Sequence, residues 1–292
     1  MTRSAPARCL LLSLLLPLLL GACASALPEA RQVGEQAGAR ALLESSAQAH
    51  GVTAFRQIRD LNVGYDGQWE SLVQKLQPAL VDADFRKSSE ERLLFSPVPL
   101  IGQRHSGPGG TKQVTRSNTS VGVRYNDRPD SGPETLAAAA LVADAYRMFL
   151  LGPIHFLEGN ASLELAGAAD VAGRSCDLVL AVRRPGHGLS AEDRYLLFID
   201  RQDRLLRRVR FSMEGLASTQ GAVVEVDFLD HREIAGVRWP TRFFERLRKP
   251  IPSLPVHAWR LTGLDVNRGY AEADISGPAF TGSASAAARA LE

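Results

Sequence analysis

Three cysteines and six histidines carry most of the chemistry open to this 292-residue sequence. Cys176 lies in Ser175-Cys-Asp-Leu-Val-Leu-Ala-Val182, an alternating apolar run. A thiol in such a run acts as a small buried hydrophobe rather than a nucleophile. The histidines, at 50, 105, 155, 187, 231 and 257, are scattered. His155 and Glu158 have a helical i,i+3 spacing, but Pro153 argues against a helix there; His231 and Glu233 could share one strand face. Neither pair reaches the three or four ligands of a closed metal site, so no metal and no cofactor is expected. There is no G-x-S-x-G, H-E-x-x-H or C-x-x-C, and the glycines of Ser106-Gly-Pro-Gly-Gly-Thr111 lack a phosphate-loop lysine. No enzyme is expected. Arg204, Arg207, Arg208 and Arg210 are interleaved with apolar residues. That spacing reads as the solvated face of a strand, with an anionic head-group site as the alternative.

Cys23 is the residue with the clearest chemical prospect. Arg3 and Arg8 precede an apolar core from Leu10 to Leu20, too short for the ~20 residues a bilayer-spanning helix needs. Residues 1–22 therefore read as a secretory signal. Leu20-Gly21-Ala22-Cys23 resembles the lipobox of bacterial lipoproteins, in which small residues admit the peptidase and the thiol takes a diacylglyceryl thioether. Each buried CH₂ of such an anchor contributes about 0.8 kcal/mol. Ala24, where Asp would signal retention at the inner membrane, points to an outer-membrane protein facing the periplasm. Cys9 departs with the signal, which leaves Cys176 without an intramolecular disulfide partner. Without Arg3 and Arg8 the 34 Lys and Arg become 32, against 32 Asp and Glu. A neutral chain offers no basic face for nucleic acid.

The elements that position these residues are mostly strands. Residues 23–36 read as a flexible tether, 37–275 as one β-domain and 276–292 as a mobile tail rich in Gly, Ser and Ala. A helix is expected over Glu35–Ala49, with His50 facing its end dipole and Gly51 as left-handed cap. Leu61, Val63, Tyr65, Gly67 and Trp69 alternate with polar residues, as do Val224, Val226 and Phe228. Strands are expected near 92–103, 111–117 and 119–125, with a hairpin turn at 106–111. Ser131-Gly-Pro-Glu134 fits a capping box for a helix running to about Leu150 and ended by Gly152-Pro153. Between Leu136 and Leu151 that helix has only Asp144 and Arg147 as charges. A helix so apolar must be covered on several sides. It is either plain core or the wall of an apolar cavity, in which case Leu141, Tyr146, Met148 and Phe149 would line it with Val63, Tyr65 and Phe228. Prolines at 250, 252 and 255 keep the segment 248–256 out of a sheet interior, so it reads as an exposed hairpin loop. Ile251 and Leu254, beside Arg246, Arg248 and Lys249, suit contact with an anionic membrane or a partner.

The order of several features resembles the LolA/LolB-like lipoprotein carrier superfamily, which includes the mycobacterial LppX-type lipid-binding lipoproteins. These features are the opening helix ending His50-Gly51, the stretch Ile58 to Trp69 and the mid-chain helix ending Phe149-Leu-Leu-Gly-Pro153. The run Tyr195-Leu-Leu-Phe-Ile-Asp200, Leu205, Arg207-Arg208 and Phe228-Leu-Asp-His-Arg-Glu-Ile-Ala-Gly-Val-Arg-Trp-Pro240 carries it furthest. The resemblance covers residues 38–270. It implies a mainly β chain with helices (α+β), a curved, incompletely closed antiparallel β-barrel covered by helices. It also implies a concave apolar face that binds acyl chains. The expected function is a monomeric, lipid-anchored periplasmic protein that binds lipid or acylated protein in envelope transport. The alternative is a ligand-free protein-interaction or sensor module on the same fold.

Overall fold

The structure is a computed structural model that describes residues 27–29, 36–157, 161–276 and 288–291. The expected signal segment and Cys23 lie outside the described residues. Alternation along the chain makes strands with one face turned to a common core. In order these are β1 (Asp60–Trp69), β2 (Ser88–Leu94), β3 (Leu100–Gly107), β4 (Gly110–Ser117), β5 (Val121–Tyr125) and β6 (Arg128–Asp130). After a helical interruption come β7 (Ala161–Val171), β8 (Arg174–Arg183), β9 (Asp193–Asp200), β10 (Leu206–Ser212) and β11 (Val223–Leu229). A small separate hairpin, β12 (Arg232–Ile234) and β13 (Val237–Trp239), precedes β14 (Arg242–Lys249) and β15 (Leu254–Val266). Thirteen of the described strands form one antiparallel sheet in the order β6-β5-β4-β3-β2-β1-β15-β14-β11-β10-β9-β8-β7. The two ends of this order do not pair, so the curved sheet stays open, as the resemblance implied.

Helices fill the gap. α1 (Ala37–Ala49) and α2 (Val52–Phe55) precede β1, and α3 (Ser71–Leu76) and α4 (Pro78–Val81) follow it. The long α5 (Pro133–Leu151) leaves edge strand β6, and α6 (Pro153–Leu157) leads on to the opposite edge strand, β7. The connection between the two unpaired edges is thus itself the covering helix. Eleven of its residues are buried, from Ala138 to Leu151, which matches the all-round apolarity of its sequence. α7 (Glu272–Ser276) packs Ile275, together with the preceding Tyr270, against Leu94 and Leu100.

Several local expectations are corrected. No capping box forms at Ser131: Gly132 is the N-cap, and its N–H donates to Asp130 Oδ1 at 2.7 Å. Pro133 does open the helix, where its missing N–H costs nothing. Pro153 does not prevent a helix over residues 153–157, because it occupies the first position of α6. Pro255 sits in β15 opposite Arg246, next to a register shift, where the ladder tolerates a missing donor. Gly51 is left-handed at φ +87°, and a Cβ there would lie 2.2 Å from Gly236 O, so the position requires glycine. His50 is no dipole partner. Its buried ring accepts from Leu206 N–H through Nε2 and contacts Arg238 O through Nδ1, both at 3.0 Å. Burial, then His231 nearby, pushes it down to about 3, so it stays neutral. Within the expected tether, Leu27 is buried against Val171, Cys176, Leu178 and Phe198, and Arg194 donates to Pro28 O. Within the expected tail, Ala290 bridges to Gly263.

Candidate functional site

The concave face under α5 has two chemically distinct ends. At one end, Phe149 of α5 meets Phe211, Phe228, Phe243 and Trp259 with ring centroids 5.4–6.5 Å apart. Phe243 and Trp259 stack at 4.9 Å, 9° from parallel. These rings stand on β10, β11, β14 and β15, on the inward face that alternation assigns them. Met148, Leu141 and Leu197 join the same core.

The other end is polar although it is equally buried. The stack continues from Trp259 to His257 at 4.6 Å and on to Trp69 at 4.0 Å. Arg86 lies 5.2 Å from the centroid of the Trp69 ring and 5.7 Å from that of Tyr146. Its guanidinium donates to Leu80 O at 2.7 Å and to Tyr146 Oη at 3.4 Å. Gln103 Nε2 donates to Glu91 Oε1 at 2.6 Å. Burial holds Glu91 up at about 8 and Glu245 at about 7, with the Arg86 charge opposing both shifts. His105 and His257 are driven well below their ordinary value by burial first and Arg86 second. The interior is therefore apolar and aromatic at one end and ionic at the other, with Tyr146 of α5 spanning them: its ring packs on Tyr65, Phe149 and Trp259 and its hydroxyl meets Arg86.

All seven residues expected to line a cavity share this core. Tyr65 and Tyr146 meet edge to face at 5.3 Å, and Phe149 and Phe228 lie 6.4 Å apart. Val63, Leu141 and Met148 are buried in the same cluster. The free space beside Tyr65, Tyr146, Trp69 and Trp259 is about 20 Å³, room for roughly one water. These side chains close on one another as the chain stands. Ile251 is exposed and Leu254 half-buried at the β14–β15 turn, away from that core. The buried polar residues of the polar end escape sequence reading, because Glu91, Gln103, His105 and Glu245 at inward positions look like a solvated face. Cys176 is fully buried, and burial pushes its thiol up to about 11. Arg204, Arg207, Arg208 and Arg210 form ion pairs with Asp177, Asp200, Asp203, Asp227 and Glu225. Among the described residues no group of three His, Cys, Asp or Glu could hold a metal ion, and no helix is long and apolar enough to cross a membrane.

No protein-family model and no curated protein matches the sequence. Among solved structures the chain is similar to a DUF1329 family protein from Desulfovibrio piger, with TM-score 0.51 and 11% identity over 83% of this chain and 99% of that one. It is likewise similar to a LolA superfamily protein from Nitrosomonas europaea, with TM-score 0.50 and 11% identity over 82% of this chain and 97% of that one. The fold is thus the one the sequence resemblance implied.

Proposed function

We propose that this chain is a non-enzymatic envelope lipoprotein, anchored through Cys23 at the outer membrane, that takes up acyl chains between α5 and the aromatic end of its sheet. One observation carries the reading. α5 bridges the two unpaired edges of an open sheet, and in its last turn, from Met148 to Leu151, it meets the concave face through apolar side chains. Apolar packing is non-directional, so an acyl chain can replace it at a similar free energy, about 25 cal/mol per Å² of apolar surface buried. The fold shared with the LolA superfamily protein from Nitrosomonas europaea supports the reading at the level of the fold.

The test is native mass spectrometry of the intact chain purified without detergent, followed by titration with a fluorescent fatty acid. Co-purified lipid, or saturable probe binding, supports the carrier. The closed interior favours a second reading, a ligand-free interaction or sensor module. No lipid mass and no probe binding would establish that alternative and end the first.

A further inference from the structure

A second concavity lies outside the aromatic interior, at the seam between α5, α6 and the loops that follow β2, β4 and β8. It encloses about 310 Å³ and is lined by Arg116, Asp144, Arg147, His155, Arg183 and His187, among others. It opens to solvent between exposed Asn118 and Pro185. Among its described lining residues, Arg116, Arg147 and Arg183 are cationic and Asp144 is the carboxylate.

The carboxylate is already engaged. Asp144 Oδ2 accepts from Arg116 Nη2 at 2.9 Å and from Gly188 N–H at 2.8 Å, and Arg116 Nη2 also donates to Gly188 O at 3.0 Å. This knot ties β4, α5 and the β8–β9 loop into one wall. Gly188 is left-handed at φ +63°, with Leu141 N only 2.8 Å from where a Cβ would stand, so the loop backbone lies directly on α5. The opposite wall carries Arg147, one turn beyond Asp144, and Arg183 at the end of β8, which donates to His155 Nε2. Asp193 lies behind this wall, its carboxylate taken by His187 N–H at 2.9 Å and Ser212 Oγ at 2.8 Å.

His187 supplies an independent sign of a missing ligand. The residue is 2% exposed, and neither ring nitrogen has a hydrogen-bond partner. A buried polar ring without a partner costs free energy unless something satisfies it. Burial and then Arg183 push His187 down to about 3, and the same two causes drive His155 well below its ordinary value. Both rings are therefore neutral, each able to donate one hydrogen bond and accept another. Of the exposed large apolar residues, Val98 precedes lining residue Pro99 and Leu189 lies two residues after lining residue His187.

We propose that this cleft binds a phosphate oxyanion, free or as the head group of an amphiphile, between Arg147 and Arg183 with His187 as a further hydrogen-bond donor. Guanidinium forks match the planar oxygen pairs of phosphate, and the neutral imidazole adds a directional donor. The site is separate from the aromatic interior, so a chain that binds no fatty-acid probe still tests it.

Calorimetric titration of the intact chain with inorganic phosphate, and separately with monomeric dihexanoyl phosphatidic acid, decides the matter. Histidine Cε1 resonances should shift on binding. Arg147→Gln and Arg183→Gln should each weaken binding by about tenfold or more, as expected for loss of one charge-assisted pair. Arg260→Gln, an equal charge change on the exposed face of β15, should leave it unchanged. Should Arg183→Gln fail to fold, Arg147→Gln carries the test. Equal affinity of both probes identifies a free anion. Tighter binding of the lipid, lost in Leu189→Ser, identifies a head group. The proposal is overturned if neither probe binds, if both arginine variants bind like the parent, or if Arg260→Gln loses as much.

Discussion

The aromatic and polar ends of the concave face meet on β14 and β15 and differ in what stands at every second position. On β14, Phe243 is followed inward by Glu245; on β15, Trp259 follows His257; Gln103 and His105 of β3 belong to the polar end alone. The aromatic end is held by burial, which has no preferred direction and survives replacement by another apolar body. The polar end is held by hydrogen bonds to charged groups, which survive neither sliding nor replacement. α5 is tied at Asp144 and Tyr146 and merely packed at Met148 and Phe149. The same helix is thus fixed in one stretch and replaceable in the next, and an acyl chain would enter at the replaceable one.

The largest effect is expected at the aromatic end. Phe149→Ala should cost about 3–5 kcal/mol, seen as a lower urea midpoint with unchanged slope. If an acyl chain can take the place of that ring, a saturating fatty acid should return part of the loss. A loss below about 1 kcal/mol would mean that the rings around Phe149 do not form a packed unit.

At the polar end, Arg86→Met should cost about 3 kcal/mol above pH 8, where Glu91 and Glu245 are both ionised, because it strips the cation from them and a donor from Leu80 O. Adding Glu91→Gln and Glu245→Gln should recover much of this, since the uncompensated carboxylates are then gone. No recovery would show that Arg86 matters for its stacking on Trp69 and Tyr146 and not for charge.

The buried carboxyls and the buried imidazoles should also answer pH with opposite signs. Glu91 and Glu245 are raised from 4.5 to about 8 and about 7, so the folded chain holds their protons more tightly than the unfolded one. Their contribution to stability is complete below pH 4.5 and is lost as pH rises through 7 to 8. His50 and His187 are lowered from 6.5 to about 3, so their contribution is complete above pH 6.5 and is lost as pH falls toward 3. The thermal midpoint should therefore pass through a maximum. Glu91→Gln with Glu245→Gln should flatten the alkaline limb and leave the acid limb in place. Flattening of both limbs would mean that the carboxyls and the imidazoles are coupled.

Sequence alternation reveals most of the aromatic end. Val63, Tyr65, Val226 and Phe228 alternate with polar neighbours, and the uncharged stretch before Gly152 announces a covered helix. It hides the polar end, because periodicity distinguishes two faces but does not say which faces inward when both carry charge. Arg92 illustrates the difficulty: it is fully buried yet belongs to the opposite face from Glu91, beneath Tyr270. The anion cleft was invisible for another reason. Arg116, Arg147, Arg183 and His187 lie on four segments that only the fold brings together, and no local spacing records that.

The smallest stability effect, and the sharpest use of the comparison, lies at the tip beyond the polar end. There α3 and the β14–β15 hairpin share a satellite core of Val73, Val81 and Val256, with Trp69 and Leu247 packed on it. Leu72, Leu76 and Ile251 remain exposed at 49%, 57% and 48%. Lys75, Arg248 and Lys249 stand in the same segments. Apolar side chains flanked by cations are suited to an anionic bilayer surface, where each basic residue adds about 1 kcal/mol. Ile251→Ser removes no buried contact and should leave the thermal midpoint in place. Leu254→Ser removes a half-buried side chain opposite Leu247 and should cost about 1 kcal/mol. In a chain with Cys23 replaced, so that no acyl anchor contributes, the double variant should sediment less with anionic liposomes than its parent. Unchanged sedimentation would place membrane contact elsewhere. A loss well above about 1 kcal/mol would make the loop a structural part of the polar end, and the contrast between a rigid ionic interior and a free apolar tip would fail.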